Sequence, residues 1–422
     1  MKIQKLFLAA SLLTISVPAF AYLDPGTGNA LIYFLISLLG AFTFYVKSLF
    51  YKVTGLIKGQ QRSEDYKGEV VIFSEGKNYW QSYNFITDKL IEKKIHFQYL
   101  TTDVEDPALT IDSPYMHSKF VGEGAIGYSR VAQVKGKILL TTTPNIGCKN
   151  FPLPRPRNIK YLVHFWHSVS DTSFYHLGAL DFYDCALTVA PWVEKSIREI
   201  EKVRNLPKKE IFPVGLPYFD NSKVMSTINK QHAGERKTVL IAPSWGKKSC
   251  LNIYGIDFIP ELLRQGYNVI VRPHPHSLKV EPETIHKFQL YLKDFSNVAF
   301  DFNTQANDSM EKADILISDK SSVRFDFAFL YEKPVLTLDI PHEDLQFYEA
   351  ALLSNLWEEE QAKKLGEVIS VTDKANICRY VQETLLYKPS DIRRVRDSAL
   401  VNWQNSASVI VDWIENKLQV ID

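Results

Sequence analysis

Three short runs place groups suited to phosphate chemistry at the ends of apolar stretches. They are Tyr161-Leu-Val-His-Phe-Trp-His167, Arg272-Pro-His-Pro275 and Ser318-Asp-Lys-Ser-Ser-Val-Arg-Phe-Asp-Phe-Ala328. Arg272 carries a permanent charge on a fork that fits a phosphate. The prolines on either side of His274 hold it in an extended, rigid segment. Rigid placement suits a group that must meet developing charge. In the last run Ser318 and Asp319 are favoured helix caps, which leave backbone N–H groups pointing outward. A helix starting near Val323 would offer its positive end to an anion, with the Ser321 and Ser322 hydroxyls as further donors. Asp326 has two candidate partners, Arg324 and a sugar hydroxyl, and plain solvation is its default. The bland reading of this run is simple capping, because any strand-to-helix turn favours Ser and Asp. His167 stands where its strand stops, and an imidazole there can take a proton from an attacking hydroxyl near neutral pH. With a period of two, Tyr161, Val163 and Phe165 share one face, and His164 and Trp166 the other. His164 therefore reads as a hydrogen-bonded core residue. His276 reads as solvent-facing.

The elements that must position these runs follow an α/β rhythm from Lys67 onward. Val70–Phe73, His96–Leu100, Ile138–Thr142, Tyr161–Trp166, Cys185–Val189 and Ile211–Val214 read as strands. Helix-like stretches such as Trp80–Leu90 fall between them. Phe151-Pro-Leu-Pro-Arg-Pro-Arg157 is a loop. Asn221 to Arg236 is polar and reads as a linker. A second series follows: Thr238–Ala242, Tyr267–Val271, Val298–Phe300, Ile315–Ile317 and Val335–Leu338. Short apolar runs alternating with helices predict parallel βαβ units. The tail from Ser390 to Leu418 reads as one or two helices. The whole predicts an α/β protein of two Rossmann-like domains facing a cleft. They span 66–220 and 236–389, with a helical tail over 390–422. Ligands of such sheets bind beyond the C-terminal strand ends, where all three runs fall.

A length of 422 residues suits two domains. A net charge of +1 excludes bulk nucleic-acid binding, which needs a basic surplus. Cys148, Cys185, Cys250 and Cys378 are scattered without a CxxC pair, so neither a metal site nor a disulfide framework is expected. Their expected role is small core filler. The N-terminus departs from this globular picture. Lys2 and Lys5 precede an apolar run from Leu6 to Val17, and Ala19-Phe-Ala21 follows. That is the pattern of a signal peptide over 1–21, or of a first membrane segment. No charge appears between Asp24 and Lys47, so 29–51 reads as a transmembrane helix with interfacial aromatics. Lys47, Lys52, Lys58 and Arg62 all follow it. The positive-inside bias then puts the catalytic domains on the cytoplasmic side of a single-pass protein in the cytoplasmic (inner) membrane. The rival reading is full secretion, with the second stretch as a core helix.

With these residues in view, the chain resembles the CDP-glycerol glycerophosphotransferases of the teichoic-acid polymerase and primase type. The resemblance runs through most of residues 160–340. Trp166-His167 is similar to a W-H-G-T element. Gly215-Leu-Pro-Tyr-Phe-Asp220 is similar to G-x-P-R-x-D, Ala242-Pro-Ser-Trp245 to A-P-T-W, and Arg272-Pro-His-Pro275 to R-x-H-P. Ser318-Asp-x-Ser-Ser-x-x-Phe-Asp326 with Lys333-Pro334 resembles S/T-D-x-S-S…F-D…K-P. The chain departs at Ser168-Val169, where the family has Gly-Thr, and at Tyr218, where it has Arg.

The resemblance implies a GT-B fold and transfer of glycerol phosphate to an acceptor hydroxyl, with release of CMP. It implies His167 and His274 as catalytic residues. It puts Ser321 and Ser322 near the donor phosphates, and Arg272, Ser318, Asp319, Asp326 and Ser244 complete the expected donor phosphate or nucleotide site. The implied donor is CDP-glycerol or a related CDP-alditol, and the implied acceptor is a lipid-linked or surface-glycan precursor at a membrane. No cofactor is required on this reading, with Mg²⁺ an optional assistant. A GT-B glycosyltransferase using a nucleotide sugar and a catalytically silent membrane-tethered scaffold are the alternatives.

Overall fold

The computed structural model describes residues 68–220, 236–303, 307–341 and 345–421. The expected leader and membrane helix, and nearly all of the expected linker, lie outside the described residues. Among the described residues no helix is long and apolar enough to cross a membrane.

The first sheet holds β1 (Val70–Ser74), β2 (Phe97–Thr101), β3 (Met116–Phe120), β4 (Lys135–Thr141), β5 (Asn158–Phe165), β6 (Cys185–Thr188) and β7 (Glu210–Pro213). All neighbours pair in parallel, in the order β3-β2-β1-β4-β5-β6-β7. The second sheet holds β8 (Thr238–Ile241), β9 (Asn268–Val271), β10 (Val298–Phe300), β11 (Ile315–Ser318), β12 (Val335–Leu338) and β13 (Val368–Ile369). It runs β10-β9-β8-β11-β12-β13, again parallel. Both orders reverse direction after their first strand, which is the doubly wound pattern. In the second sheet that reversal opens a crevice between the ends of β8 and β11.

The strands are apolar because helices cover both faces of each sheet. All five residues of β1 are buried, as are all four of β11. Helix α1 (Trp80–Glu92) buries Tyr83, Ile86 and Leu90, one stripe at helical spacing. Helix α2 (Trp192–Val203) buries Val193, Ile197 and Ile200 in the same way. Around the second sheet lie α3 (Val323–Tyr331), α4 (Trp357–Leu365) and α5 (Pro389–Ala399). Helix α3 is enclosed on nearly every side, from Arg324 to Tyr331 apart from Asp326.

The tail does not stay with the second sheet. Its last helix, α6 (Ser406–Val420), packs Ala407, Ile410, Val411 and Ile414 into the core on the α1 side of the first sheet. Asp220 fixes its start, accepting the Ser406 N–H at 3.0 Å and the Ala407 N–H at 2.7 Å. Gly215 makes the approach possible. Its φ is 89°, and a Cβ there would lie 2.3 Å from the Val401 carbonyl oxygen and 2.4 Å from Ser406 Oγ. Two motif positions, Gly215 and Asp220, thus serve chain docking.

The two sheets are fastened together beside the cleft. Leu177 N–H bonds Phe347 O at 3.0 Å, Glu349 N–H bonds Tyr175 O at 2.8 Å, and Ala350 N–H bonds Ser173 O at 2.9 Å. Trp192 of α2 stacks on Trp357 of α4, with centroids 3.7 Å apart and planes within 3°.

Candidate functional site

Three strand ends of the second sheet build one wall of a cleft of about 290 Å³. The segment after β8 gives Ala242 and Pro243, the one after β9 gives Arg272 to Pro275, and the turn into α3 gives Ser321, Ser322, Val323 and Asp326. Asn307 and Met310 also line it, as do Gln81 and Tyr218 from the first half. The structure therefore brings Arg272, His274, Ser321, Ser322 and Asp326 together.

His274 is held by its own turn. Its Nδ1 accepts the backbone N–H of His276 at 3.1 Å. The neutral ring must then carry its proton on Nε2, as a hydrogen-bond donor. Burial lowers its pKa, the neighbouring His276 lowers it further, and Asp319 opposes both. His276 is exposed, as expected. It lies parallel to His274 at 5.5 Å and within 5.3 Å of the Trp245 ring.

Arg272 lines the cleft with part of its fork already engaged. Its Nη1 meets Asp301 at 2.6 Å, and its Nη2 donates to Asn303 O at 2.8 Å. Burial alone would push the Asp301 carboxyl up. Bonds from Ser309, the Asn303 N–H and Arg272 outweigh it and hold the carboxyl below the usual range. The result is a rigid cation at the cleft wall.

At the start of α3 the Ser322 side chain makes no capping bond, and Ser321 Oγ accepts the Val323 N–H at a long 3.4 Å. The two hydroxyls therefore stand at the positive end of the helix, where they can meet an anion, while the amides of Val323 to Asp326 already bond Ser321 and Ser322. Asp326, one turn on, has no side-chain hydrogen bond among the described residues, and burial pushes its carboxyl up to about 7. It does not pair with Arg324, which turns inward instead toward Glu358.

Ser318, Asp319 and Ser244 stand behind the lining rather than in it. Ser318 Oγ donates to Ala242 O at 2.6 Å and is fully buried. The Asp319 carboxylate accepts the Ser244 N–H at 3.0 Å, the Ser244 hydroxyl at 2.8 Å and the Cys250 N–H at 2.8 Å. All three were expected at the donor phosphates or nucleotide. The bonds they make stitch β8 to β11 and set the shape of the crevice.

His167 sits at the end of β5 and is half-buried. Tyr79 meets its ring edge-on at 5.4 Å, and its Nδ1 has no partner. Burial lowers its pKa to about 4, so the ring is neutral at pH 7. It is not among the residues lining the cleft, although Tyr79 immediately precedes α1, whose Gln81 is. His164 is a buried core histidine, 2.9 Å from the Tyr175 hydroxyl. Burial, with a smaller contribution from His167, lowers its pKa to about 3.

Sequence reasoning missed Gln81, Asn307 and Met310, which carry no local chemical signal. Tyr218 was visible only as a departure from the family pattern. Among the described residues no cluster of three or more His, Cys, Asp or Glu side chains is arranged to hold a metal.

Two doubly wound sheets with strand ends turned to one cleft define a GT-B-like α/β protein, and comparison with known proteins agrees. A family model described as CDP-glycerol:poly(glycerophosphate) glycerophosphotransferase matches residues 176–369. The resemblance read from the motifs is thus borne out over those residues, and the match supports a phosphotransferase enzyme. Among solved structures it is similar to the wall teichoic acid polymerase TagF, at 13% identity and a TM-score of 0.52, over 90% of this chain and 98% of that one. It is also similar to a putative UDP-N-acetylglucosamine 2-epimerase from Listeria monocytogenes, at 13% identity and 0.54, over 84% and 98%. A third is S. aureus MnaA solved with UDP, at 12% identity and 0.53, over 83% and 97%. Identities this low show the fold alone. No curated protein matches the chain.

Proposed function

We propose that the chain transfers glycerol phosphate, or a related alditol phosphate, from CDP-glycerol to a hydroxyl of a lipid-linked or cell-surface glycan precursor. The observation that carries this reading is the convergence of Arg272, His274, Ser321 and Ser322 on one cleft, in a chain matched by the glycerophosphotransferase family. The acceptor oxygen attacks the phosphorus that bears glycerol. The new P–O bond forms as the bond to CMP breaks. The acceptor's proton passes to the neutral His167. His274 Nε2–H donates to the leaving CMP, whose charge Arg272 also offsets. The Ser321 and Ser322 hydroxyls hold the diphosphate at the positive end of α3. An anionic donor beside these imidazoles favours their charged forms, which raises their proton affinity when it is needed. Closure of the cleft would exclude water from the transfer.

The same reading takes 66–220 as the acceptor-side domain and 236–389 as the donor domain. It places both on the cytoplasmic face of a membrane, behind a single-pass anchor. It requires no cofactor, with Mg²⁺ as an optional assistant.

The test is incubation of the purified full chain with CDP-glycerol and membrane extract, followed by CMP release and mass spectrometry of the glycolipid. CMP and a product heavier by one glycerol phosphate are expected. His274→Ala should lower kcat by about 10²–10⁴-fold, the usual worth of a positioned acid or base. Tight calorimetric binding of a UDP- or GDP-sugar, with none of CDP-glycerol, would replace this reading with a glycosyltransferase.

A further inference from the structure

We propose that Tyr218 and Gln81 form a hydroxyl-binding subsite, which receives the free hydroxyls of the alditol on the donor. The inference rests on the functional reading above, and it names the part of the substrate that meets the first half of the protein.

The wall of the cleft is divided by chemistry. The second half lines it with groups that suit a diphosphate: the fixed charge of Arg272, the His274 ring, and the Ser321 and Ser322 hydroxyls. The first half lines it with Gln81 and Tyr218, neither of which carries a charge. A phosphate set against these two would meet no cation on that side. A neutral group bearing hydroxyls would meet an amide and a phenol, each able to donate and to accept. The CDP-alditol has both parts. With its diphosphate at the second half, the hydroxyl-bearing end is left to face the first. The sequence points the same way. Tyr218 stands where the family pattern has Arg, so a permanent cation is replaced by a neutral hydroxyl.

Both side chains are presented by fixed elements, and neither is spent on the fold. Tyr218 belongs to the short turn Pro217–Asp220, which packs on α1. On either side of it Pro217 and Phe219 are buried. Phe219 lies 5.1 Å from the Trp403 ring, and Asp220 holds the start of α6. Gln81 lies in the first turn of α1, just ahead of buried Ser82 and Tyr83. A tyrosine that serves the core normally finds a partner for its hydroxyl. Tyr83 donates to the Phe73 carbonyl at 2.7 Å, and Tyr254 to the Ile369 carbonyl at 2.6 Å. Tyr218 is half-buried, yet its hydroxyl has no hydrogen-bond partner among the described residues. Burial pushes its pKa up, so the phenol keeps its proton at neutral pH. The Gln81 amide, also half-buried, makes no side-chain hydrogen bond among the described residues either.

The test compares two ligands of equal charge on the purified full chain, with no acceptor present. One is CDP-glycerol. The other is CDP-ethanol, which carries an ethyl group in place of glycerol and so lacks the free hydroxyls. Affinities are read by calorimetry for the wild type and for Tyr218→Phe, whose folding is checked by its melting curve. The wild type should bind CDP-glycerol about tenfold tighter than CDP-ethanol, the worth of one or two neutral hydrogen bonds. Tyr218→Phe removes a single oxygen atom and should erase most of that preference by weakening CDP-glycerol alone. If Tyr218→Phe does not fold, Gln81→Met decides by the same criterion. Equal affinity of the wild type for the two ligands overturns the inference and leaves the functional reading standing. A variant that keeps the full preference also overturns it, and a raised apparent KM for the membrane-extract acceptor would then give the hydroxyl to the acceptor instead. If the wild type binds neither ligand, the functional reading itself falls and takes the inference with it.

Discussion

Asp326 is the residue whose chemistry is least settled by its neighbours. It faces a cleft proposed to hold a diphosphate, it lacks a side-chain partner among the described residues, and burial raises its carboxyl to about 7. A bound polyanion disfavours its ionised form, so binding should take up a proton there. The sign follows: affinity for CDP-glycerol is full below about 7 and weakens as pH rises through it. Asp326→Asn should remove that dependence and match the wild type at low pH. Calorimetry between pH 6 and 8.5 measures it, and a wild-type affinity flat across that range refutes it. At this scale the sequence was half legible. Arg272, His274, Ser321 and Ser322 were found because their placement depends only on the strand end they follow. Ser318, Asp319 and Ser244 were not separable from them. Their hydroxyls and carboxylate are taken up by partners some seventy-five positions away, and no local pattern names such partners.

At the scale of elements, the Gly215-to-Asp220 segment is the joint between β7 and α6. Any side chain at Gly215 meets the Val401 carbonyl and Ser406, and its φ of 89° adds strain. Gly215→Ala should therefore destabilise the protein by about 1–3 kcal/mol. Asp220→Ala removes the cap of α6 and should cost about 1 kcal/mol. Both are read as shifts of the urea midpoint, and a midpoint unchanged in both would contradict the joint. Most strands were visible as apolar runs, because the helices on both faces demand them. Two were not. Strand β3, Met-His-Ser-Lys-Phe, is an edge strand with only Met116 buried, so it lacks the apolar signature. Strand β13 is two residues long.

For the whole molecule, the repeated alternation of short apolar runs and helix-like stretches made two Rossmann-like halves legible from the sequence. The destination of the tail was not. An amphipathic helix shows that it has a buried face without showing which sheet receives it. Because α6 completes the α1 side of the first sheet, a chain ending at Leu400 would uncover the part of that core around β4 and Tyr161, against which Trp413 packs. Such a truncation should be insoluble or bind hydrophobic dyes, whereas a mere appendage would leave a soluble, cooperatively melting protein. Expression followed by a melting curve distinguishes them.

That return of α6 also bears on biosynthesis. A ribosome makes the strands of the amino-terminal layer hundreds of codons before the helix that seals it. The later layer carries its own covering helices and can consolidate first, against the usual amino-to-carboxyl sequence of domain folding. Until α6 has left the ribosome, the nascent amino-terminal half has an open greasy face, and chaperones have a long interval in which to find it.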